Sequence, residues 1–325
     1  MSKAKSEFNR RAIPEVARET HWIAPDGWRI RRIDWDLRDD SGAGATKPRG
    51  SLLFLPGRGD HYEKYLETLQ HFADTGWRVT AIDWRGQGGS GRLLPDAHVG
   101  HIDDFSTWIA DLGAFWVEWK SNNPAPHVIV AHSMGGHLAM RALVEEAVDP
   151  QAVALSAPML GISTQGLPYA AHHAVARILG ALGDPTRAAW KEGEKPMSPL
   201  NVRGKILTHD PERYADEIFW WGARPEVRLG PPSWHWVERA IASTRALNEP
   251  GLLEKVSTPI LLMATTADKL VDPKRIVRDA KRLPQSELLL FGAESAHELL
   301  READPVRDLC VAAIDTFFAT HAPVV

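Results

Sequence analysis

The chain has 325 residues and a net charge of −4 at neutral pH, and 44% of its residues are hydrophobic. This length fits one large α/β domain that carries an insertion, and it is enough to bury a sizeable core. The slightly acidic balance argues against a general nucleic-acid-binding protein. The single cysteine, Cys310, excludes an intrachain disulfide, and its apolar neighbours indicate a buried, unreactive thiol.

The first residues show no pattern of a secretion signal. The polar residues Ser2 to Glu7 are followed by no apolar run, so no signal peptide is predicted. No stretch approaches the roughly 20 apolar residues that a membrane span needs. We therefore expect a cytoplasmic protein and leave open both peripheral contact with the inner membrane surface and the oligomeric state.

Short apolar runs alternate with helical patterns along most of the chain, which predicts a mainly parallel sheet flanked by helices. Buried parallel strands are expected to be continuous apolar runs of this kind. Residues 28–37 alternate between apolar and polar, which predicts a half-exposed early strand. The apolar strands are predicted at residues 51–55, 78–82, 127–131, 152–155, 259–264 and 287–291. The predicted helices cover residues 62–74, 105–120, 134–146, 273–281 and 306–318.

The alternation stops between residues 158 and 248, a segment rich in proline, glycine and aromatic residues. It holds five tryptophans, namely Trp190, Trp220, Trp221, Trp234 and Trp236. We interpret it as a cap inserted over the carboxyl ends of the strands, where open α/β sheets bind ligands. Residues 1–157 and 249–325 would then form the core. The alternative is a structural addition remote from any site.

The segment from His127 to His137 predicts a nucleophile. A strand leads into a sharp turn and then a helix, which is the context of a nucleophile elbow with Ser133 at its tip. The crowded turn needs small residues two positions before and after the serine. Gly135 meets this need, and Ala131 replaces the more usual glycine at the other position. The alternative is a turn of the same sequence without chemistry.

Acyl transfer also needs donors aimed at the oxyanion that develops during the reaction. We expect one donor to be the backbone N–H of Met134, at the start of the following helix, where the helix dipole helps. The second donor is expected in the glycine-containing loop 56–61, and the backbone N–H of Arg58 is our choice. The alternative for this loop is a simple glycine turn.

The base and the acid are predicted from their positions after later strands. In this type of site the chain order is serine, acid, histidine. Asp268 follows the predicted strand 259–264, and His297 follows the last strand. Asp272 is the rival acid, but its sequence Asp-Pro is typical of a helix N-cap followed by proline. His132 is expected to point away from the serine beside it.

The loop from Asp83 to Gly91 follows a strand and contains several glycines. We interpret it as structural support beside the site. Asp83 and Arg85 are expected to pair with each other and brace the loop.

Taken together, these segments resemble a known family, the bacterial lysophospholipases within the monoacylglycerol-lipase-like α/β-hydrolases. The matching segments are residues 55–58, 83–94, 131–136, 207–214, 230–237 and 296–302, and the resemblance spans the chain from about Trp22 to its end. Monoglyceride lipases usually carry His-Gly where this chain has Pro56-Gly57, which favours the lysophospholipase branch.

The resemblance implies an α/β-hydrolase fold with a cap, and hydrolysis of a single acyl ester on a glycerol backbone. It implies a small lipid ester as substrate and no metal or organic cofactor. The aromatic insertion is expected to shelter the acyl chain, with Trp234 and Trp236 as substrate-binding residues. The alternatives are a monoacylglycerol lipase or general carboxylesterase, a peptidase, or a non-catalytic binding protein. A pure binding protein would not need the serine, acid and histidine together.

Overall fold

A mixed eight-stranded sheet forms the centre of the computed structural model, which describes residues 8–35, 48–163, 169–190 and 200–324. The strands are β1 (Ala17–Ile23), β2 (Arg29–Trp35), β3 (Gly50–Leu55), β4 (Trp77–Ile82), β5 (His127–His132), β6 (Ala152–Ser156), β7 (Ile260–Thr265) and β8 (Ser286–Phe291). Their order across the sheet is β1-β2-β4-β3-β5-β6-β7-β8. The pairs β1–β2 and β2–β4 are antiparallel, and every other neighbouring pair is parallel.

Helices cover both faces of this sheet. They are α1 (Leu66–Asp74), α2 (Phe105–Asn122), α3 (Ser133–Val144), α4 (Tyr169–Ala181), α5 (Leu200–Leu207), α6 (Pro211–Ala223), α7 (Trp234–Ala246), α8 (Pro273–Ala280) and α9 (Asp304–His321). The seven predicted strands and five predicted helices are all present. The predicted helix 62–74 begins as a 3₁₀ turn, Tyr62–Tyr65, before α1. Strand β1 was not predicted.

Strand β3 shows why the central strands are apolar at every position. Leu53 and Leu55 pack on the side of α2 and α3, whereas Leu52 and Phe54 pack on the side of α1 and α9. Alternate residues of a strand point to opposite faces, so a strand buried on both faces needs an unbroken apolar run. Each such buried side chain contributes roughly 1.5–3 kcal/mol to folding.

The chain between β6 and β7 carries α4 to α7 in its described part. Helix α7 packs against α4 and against α2 of the core, and α6 packs on the 3₁₀ turn before α1. The carbonyl groups of Ile206 and Leu207, at the end of α5, accept hydrogen bonds from the amides of His297 and Glu298. The segment therefore contacts a loop at the carboxyl ends of the strands. The predicted cap boundaries stay a prediction, and residues 164–168 and 191–199 lie outside the described chain.

Cys310 of α9 is completely buried. Burial, with a smaller effect of Glu302, raises the pKa of its thiol to about 12. The thiol is therefore protonated at neutral pH, as expected of an unreactive cysteine. Among the described helices, none has the length and apolar character that crossing a membrane requires.

Candidate active site

Ser133 occupies a strained backbone position between β5 and α3. Its φ is +50°, in the left-handed region that residues with a Cβ atom rarely adopt. Such a conformation costs roughly 1–2 kcal/mol, and strain of this kind is concentrated at functional sites. Since Ser133 is the first residue of α3, its side chain lies at the carboxyl end of β5 and is only partly buried.

Gly135 allows this turn to pass close to the neighbouring loop. A Cβ atom on Gly135 would lie 2.4 Å from the Pro56 carbonyl oxygen and 2.5 Å from that of Leu55. Both contacts involve backbone of a central strand and its loop, which cannot shift without disturbing the sheet. Ala131, at the other small position, is completely buried in β5 and has room for its methyl group.

Gly135→Ala is therefore expected to destabilise the protein by about 3 kcal/mol or more and to abolish activity, because the clash meets backbone. Gly222→Ala is the matched control, since a Cβ atom on this helical glycine would meet nothing within 4 Å. That change is expected to be neutral or slightly stabilising. Chemical denaturation of both variants measures the difference, and equal stabilities would contradict the explanation.

A chain of two hydrogen bonds joins the predicted serine, base and acid. His297 Nε2 lies 3.0 Å from Ser133 Oγ, and His297 Nδ1 lies 2.7 Å from Asp268 Oδ2. Because a carboxylate only accepts, Nδ1–H donates to Asp268, which leaves Nε2 to accept the serine hydroxyl proton. The structure thus brings these three residues into the geometry expected of a nucleophile, a base and an orienting acid.

The rival acid has a different environment. Asp272 caps α8, where its side chain accepts from the amide of Lys274 at 3.0 Å, and Pro273 follows at the first helical position. Asp268 instead lies beside His297 and also accepts from the amides of Leu270 and Val271. These backbone contacts fix the orientation of the carboxylate that faces the histidine.

Burial and charge act in opposite directions on the histidine. Burial alone lowers the pKa of His297, but Asp268, with smaller effects of Glu298 and Asp60, raises it above its usual value. Burial would raise the pKa of Asp268, yet the charge and hydrogen bond of His297 lower it. Asp268 is therefore ionised at neutral pH, and its charge would stabilise a protonated imidazole at His297.

His132 lies beside His297. That its side chain points away from Ser133 stays a prediction. The ring centre of His132 is 4.8 Å from that of His297, and its Nδ1 donates to the Ser156 carbonyl at 3.1 Å. The parallel pairing of β5 with β6 places this side chain between the strand ends. Burial, together with the charge of His297, lowers the pKa of His132 to about 4. A neutral His132 adds no positive charge beside the base at pH 7.

The loop after β3 lies directly against the serine. A Cβ atom on Gly57 would lie 3.1 Å from Ser133 Cβ and 2.8 Å from Asp60 Oδ2, so a larger residue would force these neighbours to shift. The amide of Gly57 donates to Asp60 Oδ2 at 3.0 Å, which shapes the turn that presents the next amide, that of Arg58. The amide of Met134 lies at the start of α3, where helical amides lack partners within the helix. The donor roles of Arg58 and Met134 remain predictions.

The loop from Asp83 to Gly91 contacts the loop after β3. The ion pair predicted to brace it, between Asp83 and Arg85, does not form. Asp83 bonds Arg31 at 2.8 Å, and Arg85 bonds Asp26 and Asp111, so the expectation that Asp83 and Arg85 pair with each other is wrong. The strand order explains this result, because β2 lies beside β4 and brings Arg31 to the end of that strand.

Two side chains of the same loop support the predicted oxyanion donors. Trp84 Nε1 donates to the Pro56 carbonyl at 2.8 Å. Gln87 accepts from the amide of Gly59 at 2.6 Å and lies 3.8 Å from the sulfur of Met134. Neither Trp84 nor Gln87 was singled out from the sequence. Their position in the glycine-containing loop from Asp83 to Gly91 was the one feature that could have indicated them.

A buried ionic network connects the loop after β3, the histidine loop and helix α6. Its centre is Lys64, whose Nζ lies 2.5 Å from Asp60, 2.7 Å from Glu298 and 3.4 Å from Glu217. Burial alone lowers the pKa of Lys64, but the three carboxylates raise it above its usual value. Nothing in the sequence pattern indicated this network, because its members come from distant parts of the chain.

The two tryptophans predicted to bind substrate differ in their surroundings. Trp236 is buried, with its ring centre 5.7 Å from that of Phe105 and 5.1 Å from the guanidinium carbon of Arg58. It therefore packs beside the loop after β3. Trp234 is only partly buried at the start of α7. Substrate contact by either residue remains a prediction. In the described part of the chain, no three acidic, histidine or cysteine side chains are grouped as metal ligands would be.

Comparison with known proteins places the chain in a family. The profile described as serine aminopeptidase, S33, matches residues 46–304. The chain belongs to this family. Lysophospholipase L2 of Escherichia coli strain K12 shares 33% identity with this chain over 282 residues, covering 83% of this chain and 80% of the relative. A monoacylglycerol lipase of Mycolicibacterium smegmatis shares 29% identity over 169 residues, covering 51% of this chain and 54% of that protein.

Solved structures support the same fold. A soluble variant of monoglyceride lipase from Saccharomyces cerevisiae, bound to a substrate analogue, superposes with a TM-score of 0.73 at 18% identity. The match covers 98% of this chain and 99% of the yeast protein. These findings confirm the predicted α/β-hydrolase fold, the resemblance to the lysophospholipase and monoacylglycerol-lipase group, and the assignment of this S33-family chain to the hydrolases.

Proposed function

We propose that this protein is a lysophospholipase, a serine hydrolase that cleaves the single acyl ester of a lysophospholipid. The observation that carries the chemistry is the hydrogen-bonded series Ser133, His297 and Asp268, with the serine on a strained turn. The choice of substrate is supported by 33% identity to a lysophospholipase over most of both chains. No metal or organic cofactor enters the proposed reaction.

The first step forms an acyl-enzyme. Ser133 Oγ attacks the ester carbonyl carbon while His297 Nε2 takes the hydroxyl proton. The backbone N–H groups of Arg58 and Met134 stabilise the oxyanion, and Asp268 stabilises the imidazolium. The carbon–oxygen bond to the leaving group then breaks, and His297 returns its proton to the departing glycerophospho-alcohol.

The second step releases the fatty acid. Water attacks the acyl carbonyl while His297 Nε2 takes one of its protons, so the same base serves both steps. Collapse of the second oxyanion breaks the bond to Ser133 Oγ, and the proton on His297 returns to the serine. The products are one fatty acid and one glycerophospho-alcohol, and the enzyme regains its starting protonation state.

A monoacylglycerol lipase is the second candidate and would use the same residues. It is favoured by the partial match to the Mycolicibacterium protein and by the structural likeness to the yeast monoglyceride lipase. Both candidate substrates carry one acyl chain, so only the head group separates them. The longer match to the lysophospholipase, covering 83% of this chain against 51%, favours the first candidate.

Purified protein assayed on matched palmitoyl lipids is expected to cleave a lysophospholipid with the highest kcat/KM, followed by a monoacylglycerol. A diacyl phospholipid is expected to react at least about a hundredfold more slowly. If the site shelters one acyl chain, as the proposed substrate requires, the second chain would be left in water. Exposing about ten methylenes forfeits roughly 8 kcal/mol, of which ordering costs cancel only part.

The same panel separates the candidates. Efficient cleavage of the diacyl lipid would overturn the single-chain argument, and a strong preference for the neutral glyceride would assign the protein to the monoacylglycerol lipases. A short-chain peptide amide added to the panel tests the peptidase activity that the family description names. Preferential cleavage of that amide would overturn the ester substrate altogether.

A further inference from the structure

A group of cationic side chains lies between the loop after β3 and the helices that follow β6. It comprises Arg58, Arg203 and Arg228, which we call the arginine cluster. The guanidinium carbons of Arg203 and Arg228 lie 5.0 Å and 5.1 Å from the ring centre of Trp221. Arg58 reaches toward them from the loop after β3, and its Nη2 donates to the Gly230 carbonyl at 2.7 Å. Residues far apart in sequence thus bring positive charge to one place.

Arg58 has hydrogen-bonding capacity that its neighbours do not use. Its Nε is buried and has no hydrogen-bond partner among the residues that the structure describes. Burial and the positive charge of Arg203 lower the pKa of Arg58 to about 10, so the group is still charged at neutral pH. A buried cation without a full set of acceptors is unfavourable unless a ligand supplies them.

Two indole groups in the same region also carry N–H donors without a hydrogen-bond acceptor among the described residues. The Nε1 atoms of Trp221 and Trp236 are buried, and neither has an acceptor in the described part of the chain. The Trp236 ring lies 5.1 Å from the guanidinium carbon of Arg58. Guanidinium and indole N–H groups can only donate, so the region offers donors to a ligand that only accepts. A phosphate group has this property and carries the complementary charge.

The neighbouring ionic network does not neutralise Arg58. Among the described residues, this network pairs equal numbers of cations and anions. The cations are Lys64, Arg203 and Arg301, and the anions are Asp60, Glu217 and Glu298. Arg203 forms a two-point contact with Glu217 at 2.8 Å for both bonds. Arg58 forms no ion pair with a described residue of this network, so its charge is available to an incoming anion.

The arginine cluster also lies on the same side of the protein as the candidate active site. The amide of Arg58 is a predicted oxyanion donor, and its side chain extends from that point toward Gly230. Helix α5, which carries Arg203, ends in carbonyls that accept from the amides of His297 and Glu298. Two separations can be compared by counting bonds. In a lysophospholipid, one runs from the scissile carbonyl carbon to the phosphorus. In Arg58, the other runs from the backbone nitrogen to the guanidinium carbon, and the two are similar.

We propose that the arginine cluster binds the phosphate of the substrate's head group. Arg58 would then hold both ends of the reacting glycerol ester, the carbonyl through its backbone and the phosphate through its side chain. This inference rests on the proposed function, because it takes the substrate to be a lysophospholipid. The same chemistry would bind free phosphate, so the experiment must distinguish these two sources.

The first test measures head-group selectivity in Arg58→Gln and Arg228→Gln. The ratio of kcat/KM for palmitoyl lysophosphatidylcholine to that for monopalmitoylglycerol is expected to fall about tenfold or more in each, the effect of losing a charge-assisted hydrogen bond. Arg245→Gln removes the same charge from an exposed position on α7 and is expected to keep the wild-type ratio. If Arg58→Gln does not fold, Arg58→Lys replaces it in this test. Lysine keeps the charge but cannot make a two-point contact, so the ratio is still expected to fall.

The second test measures binding without turnover. Glycerol 3-phosphate is expected to raise the melting temperature of the wild type and of Arg245→Gln, but not that of the two cluster variants. Inorganic phosphate at the same concentration is expected to have a much smaller effect. Equal shifts with both anions would mean that the cluster binds free phosphate, and equal shifts in all proteins would overturn the site.

The outcomes separate the two proposals. If the wild type cleaves the lysophospholipid and the cluster variants keep its selectivity, the head-group site is wrong and the proposed function stands. If the wild type cleaves neither lipid, the proposed function is wrong. In that case, loss of glycerol 3-phosphate binding in the cluster variants would still support a phosphate site.

Discussion

Ser133→Ala is expected to leave a folded protein whose ester hydrolysis is about 10⁴-fold slower than that of the wild type, or slower still. The change removes one oxygen atom, the atom that lies 3.0 Å from His297 Nε2. In the proposed mechanism only Ser133 forms the acyl-enzyme, so in its absence only oxyanion stabilisation and substrate binding would accelerate attack by water. Single-turnover and steady-state kinetics on a palmitoyl ester measure the loss.

The control for this variant is Ser163→Ala, another serine-to-alanine change in the loop after β6. A fluorophosphonate probe is expected to label the wild type and Ser163→Ala, but not Ser133→Ala. Near-normal turnover or labelling of Ser133→Ala would eliminate Ser133 as the nucleophile. Alanine can adopt a backbone conformation of this kind, as Ala157 does with a φ of +44°, so we expect the turn to be retained.

The second large effect is expected from Asp268→Asn, which should lower turnover about 10⁴-fold. Asp268 Oδ1 accepts from the amides of Leu270 and Val271, and an asparagine oxygen can replace it there. The asparagine NH₂ group would then face His297 Nδ1, which must become an acceptor. His297 Nε2 would carry the hydrogen and could no longer take the serine proton. The loop that carries residue 268 is therefore expected to keep its conformation, whereas His297 would be in the wrong tautomer to act as a base.

Asp272→Asn is the matched control, because asparagine caps a helix as well as aspartate does. It is expected to change turnover little and to leave stability almost unaltered. If the two substitutions have reversed effects, Asp272 is the acid and the assignment is mistaken. Turnover numbers and Michaelis constants for both variants give the comparison.

The pH profile of Asp268→Asn provides a further measurement of the same interaction. Activity needs neutral His297, and Asp268 raises the pKa of that histidine above its usual value. In the wild type, kcat/KM is therefore expected to rise with pH through a midpoint above the ordinary histidine value. Removing the carboxylate charge should move the midpoint of the residual activity to lower pH. An unmoved midpoint would mean that another group controls the rise.

The sequence was informative where function depends on strand order. The ends of β5, β7 and β8 could be predicted from apolar runs, and these ends locate Ser133, Asp268 and His297. Strand β1 was missed because it lies at the edge of the sheet and has mostly polar or exposed residues, without a continuous apolar run. Edge strands bury little, so they give a weak hydrophobic signal.

Partners of charged side chains could not be predicted in the same way. Arg31 bonds Asp83 because β2 and β4 are neighbours in the sheet, although the two residues are 52 positions apart. The predicted pair, Asp83 and Arg85, failed because closeness in sequence does not decide which groups meet after folding. The arginine cluster was missed for the same reason, since Arg58 and its contact Gly230 are 172 positions apart.

The charged network around Lys64 has a consequence for how the protein unfolds. Lys64 lies in the 3₁₀ turn before α1, Glu217 in α6 and Glu298 just after His297, so detachment of any one of these segments would break a buried ion pair of Lys64. Breaking one partner from such a group costs roughly 3–5 kcal/mol. The helices after β6 and the hydrolase core are therefore expected to melt together as one cooperative unit on this flank, and not as a cap that loosens first.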